Sequence, residues 1–240
     1  MKIRLLSDIH QEFYEDKELY KSQGEDVLVL AGDINVGHER TWSALKQFYE
    51  NQTNIVYVPG NHEYYRHSIN TFDDYISRFT RDTNIKFLNP GSVTIAGVTF
   101  IGATLWTDFR SDTIAKAICS RNIRDFSVIS GFSTNKCVQL NTEHIKYIRD
   151  AYSKFNGKKV IVTHFLPAIE CIAPEFQGPD LLNYYFANDY GDWIADLKDT
   201  TWLFGHTHSL VDKFLGDTRV VANPYGYNYN SNYKECIIEV

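Results

Sequence analysis

Five short apolar runs, each ending in a polar loop that carries aspartate, asparagine or histidine, constrain this chain most. Ile3–Leu6 leads into Asp8 and His10, Val27–Ala31 into Gly32-Asp33, and Ile55–Val58 into Gly60-Asn61-His62-Glu63. Val160–Val162 leads into His164, and Trp202–Phe204 into Gly205-His206-Thr207-His208. Runs this short and rich in β-branched residues read as buried strands. Between them lie helical patterns: Glu39–Tyr49 with Trp42, Leu45 and Phe48 on one face, Ile69–Phe79 with Phe72, Ile76 and Phe79, and Thr142–Phe155 with Ile145, Ile148 and Tyr152. Strands alternating with helices imply an α/β fold with helices packed on sheet faces. Two hairpins are expected as well, at Val93–Ile95/Val98–Phe100 around Ala96-Gly97 and at Val211–Leu215/Arg219–Ala222 around Gly216-Asp217-Thr218, so the sheets are mixed. Residues 107–139 lack strong periodicity and read as an inserted helical or loop element. Nothing divides the chain, so residues 1–240 read as one domain.

Composition removes several classes. At 240 residues the chain can bury a core without staples, and 43% hydrophobic against 22% charged residues excludes general disorder. Twenty-four Lys and Arg face 30 Asp and Glu, a formal net charge of −6 with no basic run, which argues against long nucleic acid as partner. Cys119, Cys137, Cys171 and Cys236 form no C-x-x-C pair and read as ordinary thiols. Charge interrupts the N-terminal apolar run at once, and no stretch is apolar enough to span a membrane, so a cytoplasmic protein is expected.

Strand ends are where open α/β folds place ligands. Here they carry Asp8, His10, Asp33, Asn61, His62, His164, His206 and His208, which include five of the chain's eight histidines. Singly, each Asp reads as a turn or cap residue and each His as a solvated side chain; together they are hard to explain that way. The set offers oxygen and nitrogen but no thiolate, which suits Mn²⁺, Fe, Zn²⁺, Co²⁺ or Ni²⁺ better than a structural zinc site. Two ions need roughly eight protein donors, and residues of this set with one shared carboxylate meet that; ions about 3.5–4 Å apart can clamp a phosphoryl group. His62 to His67 is one residue too long for H-E-x-x-H, and neither a P-loop nor a G-x-S-x-G elbow is present.

Asp8-x-His10, Gly32-Asp33, Gly60-Asn61-His62-Glu63, His164 and Gly205-His206-x-His208 stand in the order of the calcineurin-like metallophosphoesterases, and over nearly its whole length the chain resembles that superfamily's small bacterial and phage members. The resemblance implies a four-layer α/β/β/α sandwich of two mixed β-sheets flanked by helices, with a dinuclear metal site at the strand ends. It implies that Asp8, His10 and His208 hold one metal, that Asn61, His164 and His206 hold the other, and that Asp33 bridges them. His62 would serve the phosphate and leaving group as the catalytic residue, and Mn²⁺ is the first metal expected. The protein Ser/Thr phosphatases of this family continue their second block with an Asp and an Arg, where this chain has Val36 and Gly37. The reading therefore leans to a phosphodiesterase on a small, nucleotide-like phosphoester, with in-line attack by a metal-bound hydroxide. A phosphomonoesterase or protein phosphatase, a nuclease and a non-catalytic scaffold are the alternatives. Asn35, His38, Tyr64 and His67 are candidate substrate contacts, Arg110, Arg121 and Arg124 are further ones, and Tyr225–Tyr233 could stack on a base. No membrane is expected, and the chain is expected to act as a monomer or homodimer.

Overall fold

The apolar runs become strands within two residues of their expected bounds. The computed structural model describes residues 1–14, 20–50, 54–227 and 236–240. The chain enters through β1 (Lys2–Leu6) and β2 (Val27–Ala31), crosses α1 (His38–Tyr49) to β3 (Ile55–Val58), and crosses α2 (Ile69–Thr80) to β4 (Ile85–Phe87). The hairpin of β5 (Gly91–Ile95) and β6 (Val98–Ala103) precedes α3 (Thr113–Asn122), α4 (Asp125–Val128) and α5 (Thr134–Lys154). Then come β7 (Lys159–Thr163), α6 (Asn183–Phe186), α7 (Gly191–Ala195), β8 (Thr200–Phe204), the hairpin β9 (Val211–Leu215) and β10 (Thr218–Ala222), and β11 (Ile237–Glu239).

Two mixed sheets result, ordered β11-β1-β2-β3-β4 and β5-β6-β7-β8-β10-β9. In the first, β1 to β4 run parallel, with Leu5 opposite Val29 and Leu30 opposite Tyr57, and only β11 is antiparallel. In the second, β6, β7, β8 and β10 run parallel while the edges β5 and β9 are antiparallel. The period of two sorts their side chains. Val27, Val29 and Ala31 of β2 share one core with Phe100, Val160, Val162, Leu203 and Val221 of the other sheet. Leu28 and Leu30 turn the opposite way, toward Leu45 and Phe48 of α1 and Phe72 and Ile76 of α2. Ile101, Ile161, Trp202 and Val220 pack against Ile148 and Ala151 of α5 and Ile194 of α7. Helices, sheet, sheet and helices therefore form four layers. Among the described residues no helix is long and apolar enough to cross a membrane.

Several local expectations shift. The helix expected from Thr142 begins at Thr134, where Ser133 accepts the Lys136 N–H as its cap, so the last residues of the 107–139 stretch are the first turns of α5. The rest of that stretch holds α3 and α4. Phe79 is 44% exposed on the flank of α2 and lies against Trp42 of α1 with ring centroids 5.3 Å apart, so the two cover each other at the surface. The last hairpin turns on Gly216-Asp217 alone, since Thr218 already pairs with Leu215. The four cysteines are free thiols.

Candidate metal centre and active site

The carboxyl ends of the parallel strands meet in one place, and the backbone there is bent to bring side chains together. Asp8, His10, Asp33, His206 and His208 all have positive φ, between 47° and 65°, in the left-handed region that costs a non-glycine residue energy. Strain concentrated on the predicted donors marks the spot as over-determined by its surroundings. Gly60 is needed for the same closeness: a Cβ there would lie 2.6 Å from the Asp33 nitrogen. Glu63, fully buried, ties two of the loops together. Its Oε2 accepts the N–H groups of Asp33 (3.0 Å) and Gly60 (2.8 Å), and its Oε1 that of Ile34 (2.6 Å). Burial, with Asp33 nearby, pushes the Glu63 carboxyl up to about 8.

The donors fall into two groups that share Asp33. Ligand atoms of Asp8, His10, Asp33 and His208 lie within 4.8 Å of one another, and so do those of Asp33, His164 and His206. Asp33 turns one oxygen to each group: Oδ2 lies 3.6 Å from His10 Nε2, and Oδ1 lies 3.5 Å from His164 Nε2. Asn61 joins the second group with its Oδ1 3.1 Å from His164 Nε2. His164 Nδ1 is 2.9 Å from the Ala31 carbonyl and His10 Nδ1 is 3.1 Å from Glu12 Oε1, contacts that fix the proton on Nδ1 and leave Nε2 toward the centre. The Nε2 atoms of His10 and His208 face each other at 3.3 Å, and His206 Nε2 is buried with no partner among the described residues. Opposed ring nitrogens and an orphaned one are costly without a cation between them. The nitrogen and oxygen set fits two divalent ions of the manganese, iron or zinc kind. Burial pushes the Asp8 carboxyl up, but the hydrogen bond and charge of His208 outweigh it and hold Asp8 at about 2.

Three residues outside the five sequence blocks, or without a role in them, shape this centre. Glu12 Oε1 lies 3.1 Å from the Nδ1 atoms of both His10 and His62. His62 in turn has its Nε2 3.9 Å from Asp33 Oδ2. Asp125 of α4 is buried and accepts from Tyr65 Oη (2.7 Å), Tyr185 Oη (2.5 Å) and Asn61 Nδ2 (3.3 Å), which turns the Asn61 oxygen toward His164. Tyr227 stacks on His10 with centroids 4.3 Å apart, its hydroxyl 3.4 Å from His62 Nε2. The Tyr225–Tyr233 expectation falls beyond Tyr227 on residues 228–235, outside the described ones. Glu12 and Asp125 carried no sequence signal, because neither stands in a spaced motif.

A cavity of about 920 Å³ opens from the centre, with Asp33, Asn61, His62, His206, His208 and Tyr227 at one end. Asn35, His38, Tyr64 and His67 do not line it. Asn35 Oδ1 accepts the Val36 N–H, and the Tyr64 hydroxyl is taken by Asp73 and Asn89 in the core. His38 and His67 stack on each other at 3.6 Å, beside Tyr75. Tyr64 and His67 follow the Asn61-His62 block closely along the chain, yet their contacts are with the core and with His38. Of the three arginines, Arg124 lines the cavity, whereas Arg110 lies over the Tyr184 ring.

With this geometry in hand, the relatives can be weighed. A protein of Acanthamoeba polyphaga mimivirus named only as uncharacterised is 28% identical over 266 residues, covering 96% of this chain and 92% of that one. The phosphopantetheinyl hydrolase of Mycobacterium tuberculosis superposes with a TM-score of 0.81 at 17% identity, over 100% of this chain and 95% of that one. A putative 5′-nucleotidase from Staphylococcus aureus gives 0.52 at 14% identity, over 92% of this chain and 48% of that one. At such identities these two structures share the fold and say nothing of substrate. The model of the calcineurin-like phosphoesterases matches residues 1–210, so the chain belongs to that family of metal-dependent phosphoester hydrolases.

Proposed function

We propose that the protein is a phosphodiesterase acting on a small, nucleotide-like phosphoester with two divalent ions, Mn²⁺ foremost. One observation carries the choice of diester. Apart from histidines, Arg124 is the only cationic side chain among the described residues that line the cavity. A monoester dianion asks for more positive charge than that, whereas a diester brings a single negative charge. In this reading Asp8, His10 and His208 hold one ion, Asn61, His164 and His206 hold the other, and Asp33 holds both. When bound, the ions supply Lewis acidity that activates water and neutralises charge on the phosphoryl oxygens. The chain's own residues do the rest. Glu12 takes the Nδ1 proton of His62 as a hydrogen bond and so fixes which way the ring faces. Burial pushes His62 down, but Asp33 and Glu12 outweigh it and lift it to about 9. In this reading His62 holds a proton on Nε2 and gives it to the departing alkoxide. Asp125 keeps the Asn61 oxygen, not its amide nitrogen, turned inward.

The test compares p-nitrophenyl phosphate with bis-p-nitrophenyl phosphate, with and without Mn²⁺ after chelation. The diester is expected to be the better substrate by kcat/KM, and only with metal. A preference for the monoester would overturn the diesterase reading, and full turnover in the chelated sample would overturn the metal scheme.

A further inference from the structure

The cavity is far larger than a phosphate needs, and the part beyond the metal centre has a different chemistry. It runs from Tyr185 along Ile172, Ala173, Phe176, Leu182 and Phe186. Phe176 stands on its lip, 60% exposed. Polar side chains in this wing are largely spent on holding the wall. Gln177 Nε2 donates to the Ile172 carbonyl (2.9 Å), Asn183 Nδ2 donates to the Phe176 carbonyl (2.8 Å), and Asp180 Oδ1 accepts from the Leu182 N–H (2.9 Å). The Tyr185 hydroxyl is committed to Asp125. The fixed charges of the rim are Arg124 against Glu175 and Asp180, so no cationic excess awaits a second phosphate. The wing adjoins the end that carries His62 and His206, with the Phe186 and His206 ring centroids 5.2 Å apart.

We infer that the wing is a binding site for one ester arm of the substrate, and that the arm is uncharged and hydrocarbon-rich, alkyl or aryl, without a second phosphate. The inference rests on the phosphodiesterase reading and narrows it. Contact with Ile172, Phe176, Leu182 and Phe186 rewards each methylene removed from water. The Glu175 and Asp180 carboxylates repel an arm that bears another anion.

The experiment uses the Mn²⁺-loaded full-length protein and p-nitrophenyl diesters that share one leaving group and differ in the other arm: methyl, butyl, phenyl and 2-phosphoethyl. Transfer of a methylene out of water predicts a gain of about fourfold in kcat/KM per carbon while the arm stays inside the wing. From methyl to butyl the expected gain is therefore at least about tenfold, carried mainly by KM, with 2-phosphoethyl below butyl. Phe176→Ala and Leu182→Asp, both at the cavity surface, should each shrink the butyl-to-methyl ratio. Equal kcat/KM across the series, a preference for the 2-phosphoethyl arm, or a ratio untouched by both substitutions would overturn the arm site while leaving the phosphodiesterase reading standing. Turnover of none of the diesters would instead overturn that reading.

Discussion

His62 shows how much of an active site can hang on a single oxygen atom. Its ring and that of His10 lie 4.4 Å apart at 69°, and both Nδ1 atoms converge on Glu12 Oε1. The second block has Val36 where the protein phosphatases carry an aspartate, and the carboxylate that meets His62 Nδ1 is Glu12, from a different loop. Glu12→Ala should therefore copy His62→Ala in kind. The loss should be roughly 10–100-fold for diesters with an alkoxide leaving group and much smaller for p-nitrophenolate. The double variant should lose little more than His62→Ala alone, since the two act as one unit. Metal content measured beside the kinetics separates this from damage to His10: equal losses on both leaving groups, with metal gone, would make Glu12 a support of the metal centre only. The seven candidate donors were legible as a group because chemistry demands those residue types and strand ends bring them together. Glu12 was not legible, because its approach depends on the left-handed backbone of His10 (φ 47°), which no residue pattern encodes. Asn35, His38, Tyr64 and His67 do not line the cavity, since adjacency in sequence says little about the direction of a side chain in a tight turn.

Elements were easier to read than their margins. The strands that end in the site are largely buried, so their composition identifies them, whereas α5 starts two turns earlier than expected, with Cys137, Leu140 and the polar Asn141 already buried in those turns. What α5 does for the site was also hidden. His144, inside it and 3% exposed, accepts the Leu105 N–H through Nδ1 at 3.2 Å, and so pins the chain just past β6. Burial, with Lys136 adding to it, pushes His144 down to about 3. The neutral ring thus belongs to the folded state, while the unfolded chain takes up a proton below about 6.5. Between pH 6.5 and 3 the unfolded state binds more protons, so stability falls as pH falls through that window and the loss is complete near 3. His144→Gln keeps an acceptor that does not titrate. Its denaturant-unfolding free energy should decline less steeply from pH 6.5 to 4 than that of the natural chain, by as much as ~3 kcal/mol over that interval. Parallel pH profiles for the two proteins would remove His144 from the acid response.

At the scale of the whole molecule, the acidic balance takes on a local meaning. A formal charge of −6 speaks against a polyanionic partner when it is spread over a surface, but Asp8 and Asp33 lie fully buried where the two sheets deliver their strand ends. Burying carboxylates beside strained backbone weakens the fold unless positive charge joins them. Two divalent ions would add four positive charges at that point, so a loaded centre would also complete the packing of the loops around it. Order of blocks along the chain was enough to foresee this arrangement, since each block closes a strand. The apolar wing was not foreseeable, because its wall comes from 172–186, where no spaced motif stands. If the ions complete the fold, removing them must cost stability as well as activity. Mn²⁺ at about 100 times its dissociation constant should stabilise the chelated protein by ~2.7 kcal/mol per independent site. For a chain of this length that is a rise in melting temperature of about 5–10 °C for each site filled. Asp33→Asn, which weakens the one ligand shared by both groups, should cut that rise to less than half while melting close to the stripped natural protein. Calorimetry of both proteins with and without metal decides it: a melting temperature indifferent to Mn²⁺ in the natural chain would mean that these donors do not form a metal centre.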